Sequence, residues 1–260
     1  MEQPMTHALD ISLLSLSLYF LLLFVPAAIF RYLGLGLNRT LVISFVRMGI
    51  QFSLVAVYLE YIFTLNSIAL NLGWILVMLV AANVSILDRS GLAFRRFARY
   101  TIPAHILTLA GVLSAMLIVF DWGVLTRAQY IIPLAGMILG NILRTNVVAL
   151  DRFHSELHRR EDEYIQAVFL GASTREAVLP FVREACRAAV APQLASVATM
   201  GLVALPGMMT GQILGGSSPV VAIKYQVLIM VGIFCSAAVS VFLSVIFSMR
   251  GAIDGWGRVL

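Results

Sequence analysis

The chain has a single lysine, Lys224, and that scarcity removes a whole class of function. A P-loop needs a lysine beside a glycine-rich turn to hold nucleotide phosphates. Lys224 sits instead in AIKYQ, so this chain does not hydrolyse nucleotide by that route. Cysteine is nearly as rare. Cys186 and Cys235 have no CxxC spacing, and they read as two buried or membrane-embedded thiols. HExxH and GxSxG are both missing. His154 and His158, one helical turn apart, stand among carboxylates and arginines and read as part of a solvated face, not a metal pair. Charge of either sign is scarce as well. Only 12% of residues are charged against 60% hydrophobic, and the mean hydropathy is +0.94. So few polar residues cannot clothe a soluble core, and the chain is an integral membrane protein.

What is present is a series of long apolar runs. Seven stretches reach spanning length, approximately 11–30, 41–63, 68–87, 100–120, 130–150, 189–213 and 223–248. The expected fold is therefore all-α and polytopic, one transmembrane domain over residues 1–260. MEQPMTHALD carries no Lys or Arg and the run behind it is long enough to span, so no cleaved signal peptide is expected. The net charge of +5 comes from arginines in short loops, which points to topology and not to nucleic acid. Arg31 and Arg39 follow the first run, Arg89, Arg95, Arg96 and Arg99 the third, Arg152 to Arg187 the fifth, and Arg250 and Arg258 the seventh. The alternate loops offer only Arg127. The positive-inside rule then places the N-terminus outside and the C-terminus in the cytoplasm.

One polar block interrupts the pattern, residues 151–189. Asp151 is suited to cap a helix whose apolar residues Phe153, Leu157, Tyr164, Ile165, Val168 and Phe169 recur at roughly helical spacing. Gly171 breaks it, and Ser173 with Glu176 three residues later forms a capping-box pattern for a second helix running toward Pro180. Two amphipathic helices joined by a glycine turn make a cytoplasmic docking segment.

Within the spans, polar residues mark where function would sit. Arg47 and Gln51 lie one turn apart in the second span, either facing a wet interior or with Arg47 snorkelling to the interface. In the fifth span, Gly136 and Gly140 form a small-xxx-small pair, and Asn141 and Arg144 follow. Helix packing and a polar path are both open readings there. The sixth span holds GLVALPGMMTGQILGG, residues 201–216. Pro206 lacks an amide hydrogen and must kink or unwind the helix near Gly207. Met208 and Met209 are packing residues or soft thioether donors, better matched to Cu(I) than to Fe(III).

Four strings, IPLAGMILGN (132–141), LGAS (170–173), GLVALPGMMTGQILGG (201–216) and PVVAIKYQ (219–226), occur in this order and spacing. Together they resemble the FetB-type family of ABC transporter permeases, bacterial iron-export proteins related to a plant aluminium-tolerance permease. The resemblance implies a permease subunit in the bacterial cytoplasmic membrane that exports iron or contributes to metal and oxidative-stress resistance. It implies a FetA-type ATP-binding cassette subunit as partner, in an assembly of two permeases and two ATPases. ATP and Mg would bind at the partner, with no cofactor bound by this chain. Gly171, Ala172, Ser173, Arg175 and Glu176 would then couple to the ATPase, and Pro206 and Gly207 would serve as a hinge. The transport path is expected among Arg47, Gln51, Asn141, Arg144, Met208 and Met209, with any metal ligands unassigned. One departure stands out: the family pattern has an Asp and a Lys three residues apart before the GLV string, where this chain has Ala195 and Ala198. The rival expectation is an ATP-independent secondary transporter or channel for a metal or anionic solute. Intramembrane carboxylates would favour it, and the spans hold only Glu60 near one end.

Overall fold

A chain in lipid must satisfy its backbone amides and carbonyls internally, and a helix does so residue by residue. The computed structural model of this protein describes residues 12–254, apart from Leu117, Asp121 and Ala204, and residues 257–259. Residues 1–10 and Ile11, where the first span was expected to start, lie outside the described residues, as does Asp121 of the loop after the fourth. Helices make up the chain in the order α1 (Leu13–Tyr19), a 3-10 turn (Phe20–Leu23), α2 (Phe24–Tyr32), α3 (Asn38–Leu65), α4 (Ile68–Arg89), α5 (Phe94–Met116), α6 (Trp122–Leu125) and α7 (Ala128–Arg159). They continue with α8 (Glu161–Phe169), α9 (Thr174–Thr199), α10 (Gly207–Leu214) and α11 (Pro219–Ala252). Among the described residues the only β pairing is an isolated bridge between Ile253 and Val259.

Among the described residues, five stretches are long and apolar enough to cross a membrane: Leu14–Tyr32, then α3, α4, α7 and α11. Two of the seven expected spans do not meet that description. The stretch expected over 100–120 corresponds to α5, whose first half carries Arg95, Arg96, Arg99 and His105. It need not be apolar all round, because it packs against α4 and α11 and its polar groups find partners there. Thr101 Oγ1 donates to Asn83 Oδ1 of α4 at 2.9 Å, and His105 Nε2 pairs with Ser244 Oγ of α11 at 3.1 Å. The stretch expected over 189–213 is not one helix. It is the end of α9, an irregular segment from Met200 to Pro206, and α10.

The polar block at 151–189 also divides differently. Asp151 lies inside α7 and caps nothing, and the chain breaks at Arg160, with φ −114° and ψ 35°. From the other side, α9 runs through Pro180 and Pro192 without stopping. His154 departs from its expected solvated face. Its ring packs edge-on against Phe97 at 4.8 Å and Phe153 at 5.0 Å, and His158 alone of the pair is exposed.

The bundle is centred on α7 and α11, which pack on each other; α11 also meets α5, α9 and α10, while α7 meets α4 and α9. Their close approach has a visible cause. Ser236, Ser240, Ser244 and Ser248 form a stripe at four-residue spacing on α11, all fully buried. Ser236, Ser240 and Ser248 each donate to the carbonyl three residues earlier, so each hydroxyl is satisfied within its own helix. Small, self-satisfied side chains allow helices to approach closely in a medium that gives no hydrophobic drive between them. Asn146 of α7 then reaches Ser240 Oγ at 2.9 Å. The expected small-residue pair on α7 contributes less. A Cβ on Gly136 would meet only Met78 Sδ at 4.0 Å, and one on Gly140 would meet nothing within 4 Å.

Helix α3 is peripheral: of its side chains only Ile62 is buried, in a small cluster with Ala128 and Ile132. The α3–α4 turn is pinned to the start of α7 by Asn66. This residue has a left-handed backbone, and its Oδ1 accepts from the Ala128 amide at 2.9 Å.

Packing is tightest where α11 meets α5. A Cβ on Gly251 would come within 2.9 Å of Phe97 Cε1 and 3.0 Å of Tyr100 Cε2. Both rings flank side chains that hold α11, since Arg96 donates to the Gly251 carbonyl and Tyr100 to that of Arg250. Gly251→Val should therefore destabilise the bundle by about 1–3 kcal/mol through overpacking. Gly111→Ala, where a Cβ meets nothing within 4 Å, should be neutral or stabilising by up to about 1 kcal/mol. Thermal unfolding of the two variants in the same detergent checks the contrast.

Candidate functional site

Four segments of the bundle enclose a cavity of about 650 Å³: α7, the second half of α9, the Met200–Pro206 break with the start of α10, and α11. From α7 come Met137, Asn141, Arg144 and Thr145, and from α9 come Pro192, Gln193 and Ser196. Beyond these, Met200, Pro206, Gly207 and Met208 line it from the break and α10, and Gln226 and Met230 from α11. The helical register explains the set: Met137, Asn141 and Arg144 fall on one face of α7, as do Gln193 and Ser196 on α9. The two faces touch through amides. Asn141 Nδ2 donates to its own helix at the Met137 carbonyl, 2.8 Å, and Asn141 Oδ1 accepts from Gln193 Nε2 at 3.4 Å.

A second cavity, about 340 Å³, lies toward the N-terminal ends of α7 and α11. Gln129, Tyr130, Gln212, Ser217 and Tyr225 supply its polar wall. Met137 and Met208 line both cavities and no other residue does. The two chambers therefore meet at a pair of flexible thioether side chains. Each chamber also contains a buried amide oxygen without a partner among the described residues, Gln226 Oε1 in the larger and Gln212 Oε1 in the smaller.

The break beside the larger cavity follows from its sequence. Gly201 has φ +85°, a left-handed conformation that ends α9 cleanly. Pro206 is not a kink in a continuous helix: it is the N-cap of α10, and Gly207 is that helix's first residue. The Pro206 carbonyl accepts the first bond of α10 from the Thr210 amide at 3.1 Å and a second from the Thr210 hydroxyl at 3.2 Å.

At the arginine-rich end, α8 and the start of α9 form a hairpin. Gly171 turns it with φ +95°. Ser173 caps α9 through a full capping box with Glu176, accepting from the Glu176 amide at 3.4 Å while Glu176 Oε2 accepts from the Ser173 amide at 2.9 Å. Hydrogen bonds from the Ser173 side chain and backbone hold the Glu176 carboxyl below the usual glutamate range. The cap is thus intact at neutral pH and loosens as pH falls through that lowered value. Ala172 is half-buried against the core, and Arg175 is exposed. The hairpin is tied to the bundle by a chain of ion pairs. Arg152 of α7 meets Glu184 of α9 at 2.6 Å, and Arg160 bridges Glu184 at 3.4 Å and Glu163 of α8. Tyr164, almost wholly buried, donates to the Gly257 carbonyl at 2.9 Å and so fastens the C-terminal segment beneath the hairpin. At the hairpin's apex Phe169 and Leu170 stand 86% and 89% exposed.

The structure therefore brings together Asn141, Arg144, Met208, Pro206 and Gly207 among the residues that the sequence singled out. Met209 is half-buried and lines neither cavity. Arg47 and Gln51 are apart from the others, both exposed in a shallow groove formed by α3 alone. Ala195 and Ala198 are exposed on α9 and off the cavity wall. Sequence reasoning missed Met137, Gln193, Met200, Gln226 and Met230. Gln226 lay within a quoted string, and its signal was a buried amide on an otherwise apolar helix face.

The sequence matches the uncharacterised protein family UPF0014 over residues 13–253. The UPF0014 membrane protein YjkA of Bacillus subtilis is 32% identical over 238 residues, covering 90% of this chain and 92% of that one. The probable iron export permease protein FetB of Escherichia coli is 32% identical over 240 residues, 91% of this chain and 90% of that one. ALUMINUM SENSITIVE 3 of Arabidopsis thaliana is 32% identical over 209 residues, 80% of this chain and 75% of that protein. No solved structure matches. A match over nearly the whole chain, with bacterial and plant relatives at similar identity, places this protein in the UPF0014 family of membrane proteins.

Proposed function

We propose that this chain is the permease subunit of an ABC exporter in the bacterial cytoplasmic membrane, energised by a separate ATP-binding subunit. Its N-terminus is outside and its C-terminus is cytoplasmic. The exported cargo contains iron, by analogy with the probable iron export permease of Escherichia coli. Two permeases and two ATPases form the working assembly.

The observation that carries this reading is the continuity of α9. One unbroken helix leads from the capped, exposed turn at Gly171–Ser173 to the cavity wall at Gln193 and Ser196. A partner that grips the turn would therefore act directly on the cavity. Nucleotide at that partner drives the change only if it binds one of two bundle arrangements better than the other. In the outward step, the break at Met200–Pro206 lets α10 move against α7, separating Met208 from Met137 and joining the two chambers. Asn141, Arg144 and Met208 belong to the path, and Pro206 and Gly207 to the hinge. Arg47 and Gln51, on the outer face of α3, are left out of it. Neither cavity is lined by Asp or Glu among the described residues, which gives ion-coupled transport no titrating group to use.

The direct test is ATP-dependent iron uptake into inverted vesicles containing this chain with its cognate ATPase. Iron uptake without nucleotide, by the purified chain alone, would refute the reading. Phe169→Glu combined with Leu170→Glu should weaken copurification with the ATPase by at least about tenfold, the scale of losing one interface anchor. An unchanged elution profile of the variant permease checks that its fold is intact. Pro206→Ala should slow transport while ATP hydrolysis continues; full transport by this variant would remove the hinge.

A further inference from the structure

The larger cavity says something about the form in which cargo enters. Its volume, about 650 Å³, falls in the range of sites for small organic ligands, about 300–1,000 Å³, and far exceeds what a bare ion fills. No Asp, Glu, His or Cys lines it among the described residues. Hard cations such as Fe(III) are held best by anionic oxygen ligands, and the wall offers none among the described residues. The one charge on the wall is Arg144, with no ion pair or hydrogen bond among the described residues. A guanidinium keeps its charge and presents a planar fork of donors suited to carboxylates. On the wall of the same cavity, Gln226 is only 8% exposed and its Oε1 has no partner among the described residues. An orphaned buried amide costs free energy unless a ligand or water completes it. Met137, Met200, Met208 and Met230 supply an adaptable, polarizable wall for the less polar part of a guest.

We infer that this cavity binds an anionic small molecule of organic-ligand size, clamped by Arg144 and oriented by the amides of Gln193 and Gln226. Metal cargo therefore enters as a net-negative polycarboxylate chelate and not as a bare cation. The role in transport rests on the permease reading above; the binding does not.

The test uses the full chain in lipid nanodiscs without any ATPase, titrated calorimetrically with ferric citrate, citrate alone, ferrous ion and silver ion. Ferric citrate should bind, and Arg144→Gln should weaken it by at least about tenfold, as expected for loss of a charge-assisted pair. Arg144→Lys should recover part of that loss, which a purely structural role for the residue would not predict. Equal binding of citrate alone would show that the anion is what is read; weaker binding would show that the chelate's shape is read as well. Either supports the assignment. No binding of either polycarboxylate, or binding that Arg144→Gln leaves unchanged, would overturn it. So would a silver or ferrous ion that binds while citrate species do not, since the cavity would then be a cation site. Chelate binding without ATP-driven uptake, once the ATPase is added, would remove the exporter reading and leave this inference standing.

Discussion

Everything in this protein depends on the rule that backbone polar groups in lipid must be satisfied by protein or by water in a protein cavity. It forces the chain into helices, and it dictates where a helix is allowed to stop. The break between α9 and α10 adjoins the larger cavity. The Pro206 carbonyl is answered twice by Thr210.

The second organising fact is the division of labour between helices. Outer helices such as α3 are apolar on nearly every face, because most of their surface meets lipid. Interior helices are not. Thr101 and His105 on α5, Asn146 on α7 and the serine stripe on α11 are buried, and bonds cross helix boundaries: Thr101 of α5 to Asn83 of α4, His105 of α5 to Ser244 of α11, and Asn146 of α7 to Ser240 of α11. The central helix pair is thus held by its serine stripe and hydrogen bonds together with bulky buried side chains such as Ile138, Ile142, Ile229 and Val241. That arrangement gives a rigid centre, beside which α9 and α10 have comparatively open surroundings.

The helices, their order and the capping box at Ser173 and Glu176 were legible in the sequence, since apolar runs and caps are local signals. The relation of α9 to α10 was partly legible. Pro206 announced a disturbance, but a proline cannot tell from its own neighbours whether it bends a helix or begins one. Arg47 and Arg144 show the limit most clearly. Each is an arginine within an apolar run, and from sequence the two are equivalent. Only tertiary packing sets Arg144 on a cavity wall and leaves Arg47 on the outside of α3. Met137 and Gln226 escaped notice for the same reason: they are ordinary residues until four segments converge on them. His154 misled because its sequence neighbours are charged, while its spatial neighbours are Phe97 and Phe153.

The unbroken length of α9 has a geometric consequence. Its 26 residues extend about 39 Å at the usual rise of about 1.5 Å per residue. As a lever pivoting at one end, such a rod converts a tilt of only about 5° into a displacement of about 3 Å at the other, comparable to a hydrogen-bond length. Two prolines, Pro180 and Pro192, lie along the rod without ending it. On the proposed coupling, a small angular change at the protein's surface would be magnified into a step large enough to exchange one set of side-chain contacts for another deep in the bundle.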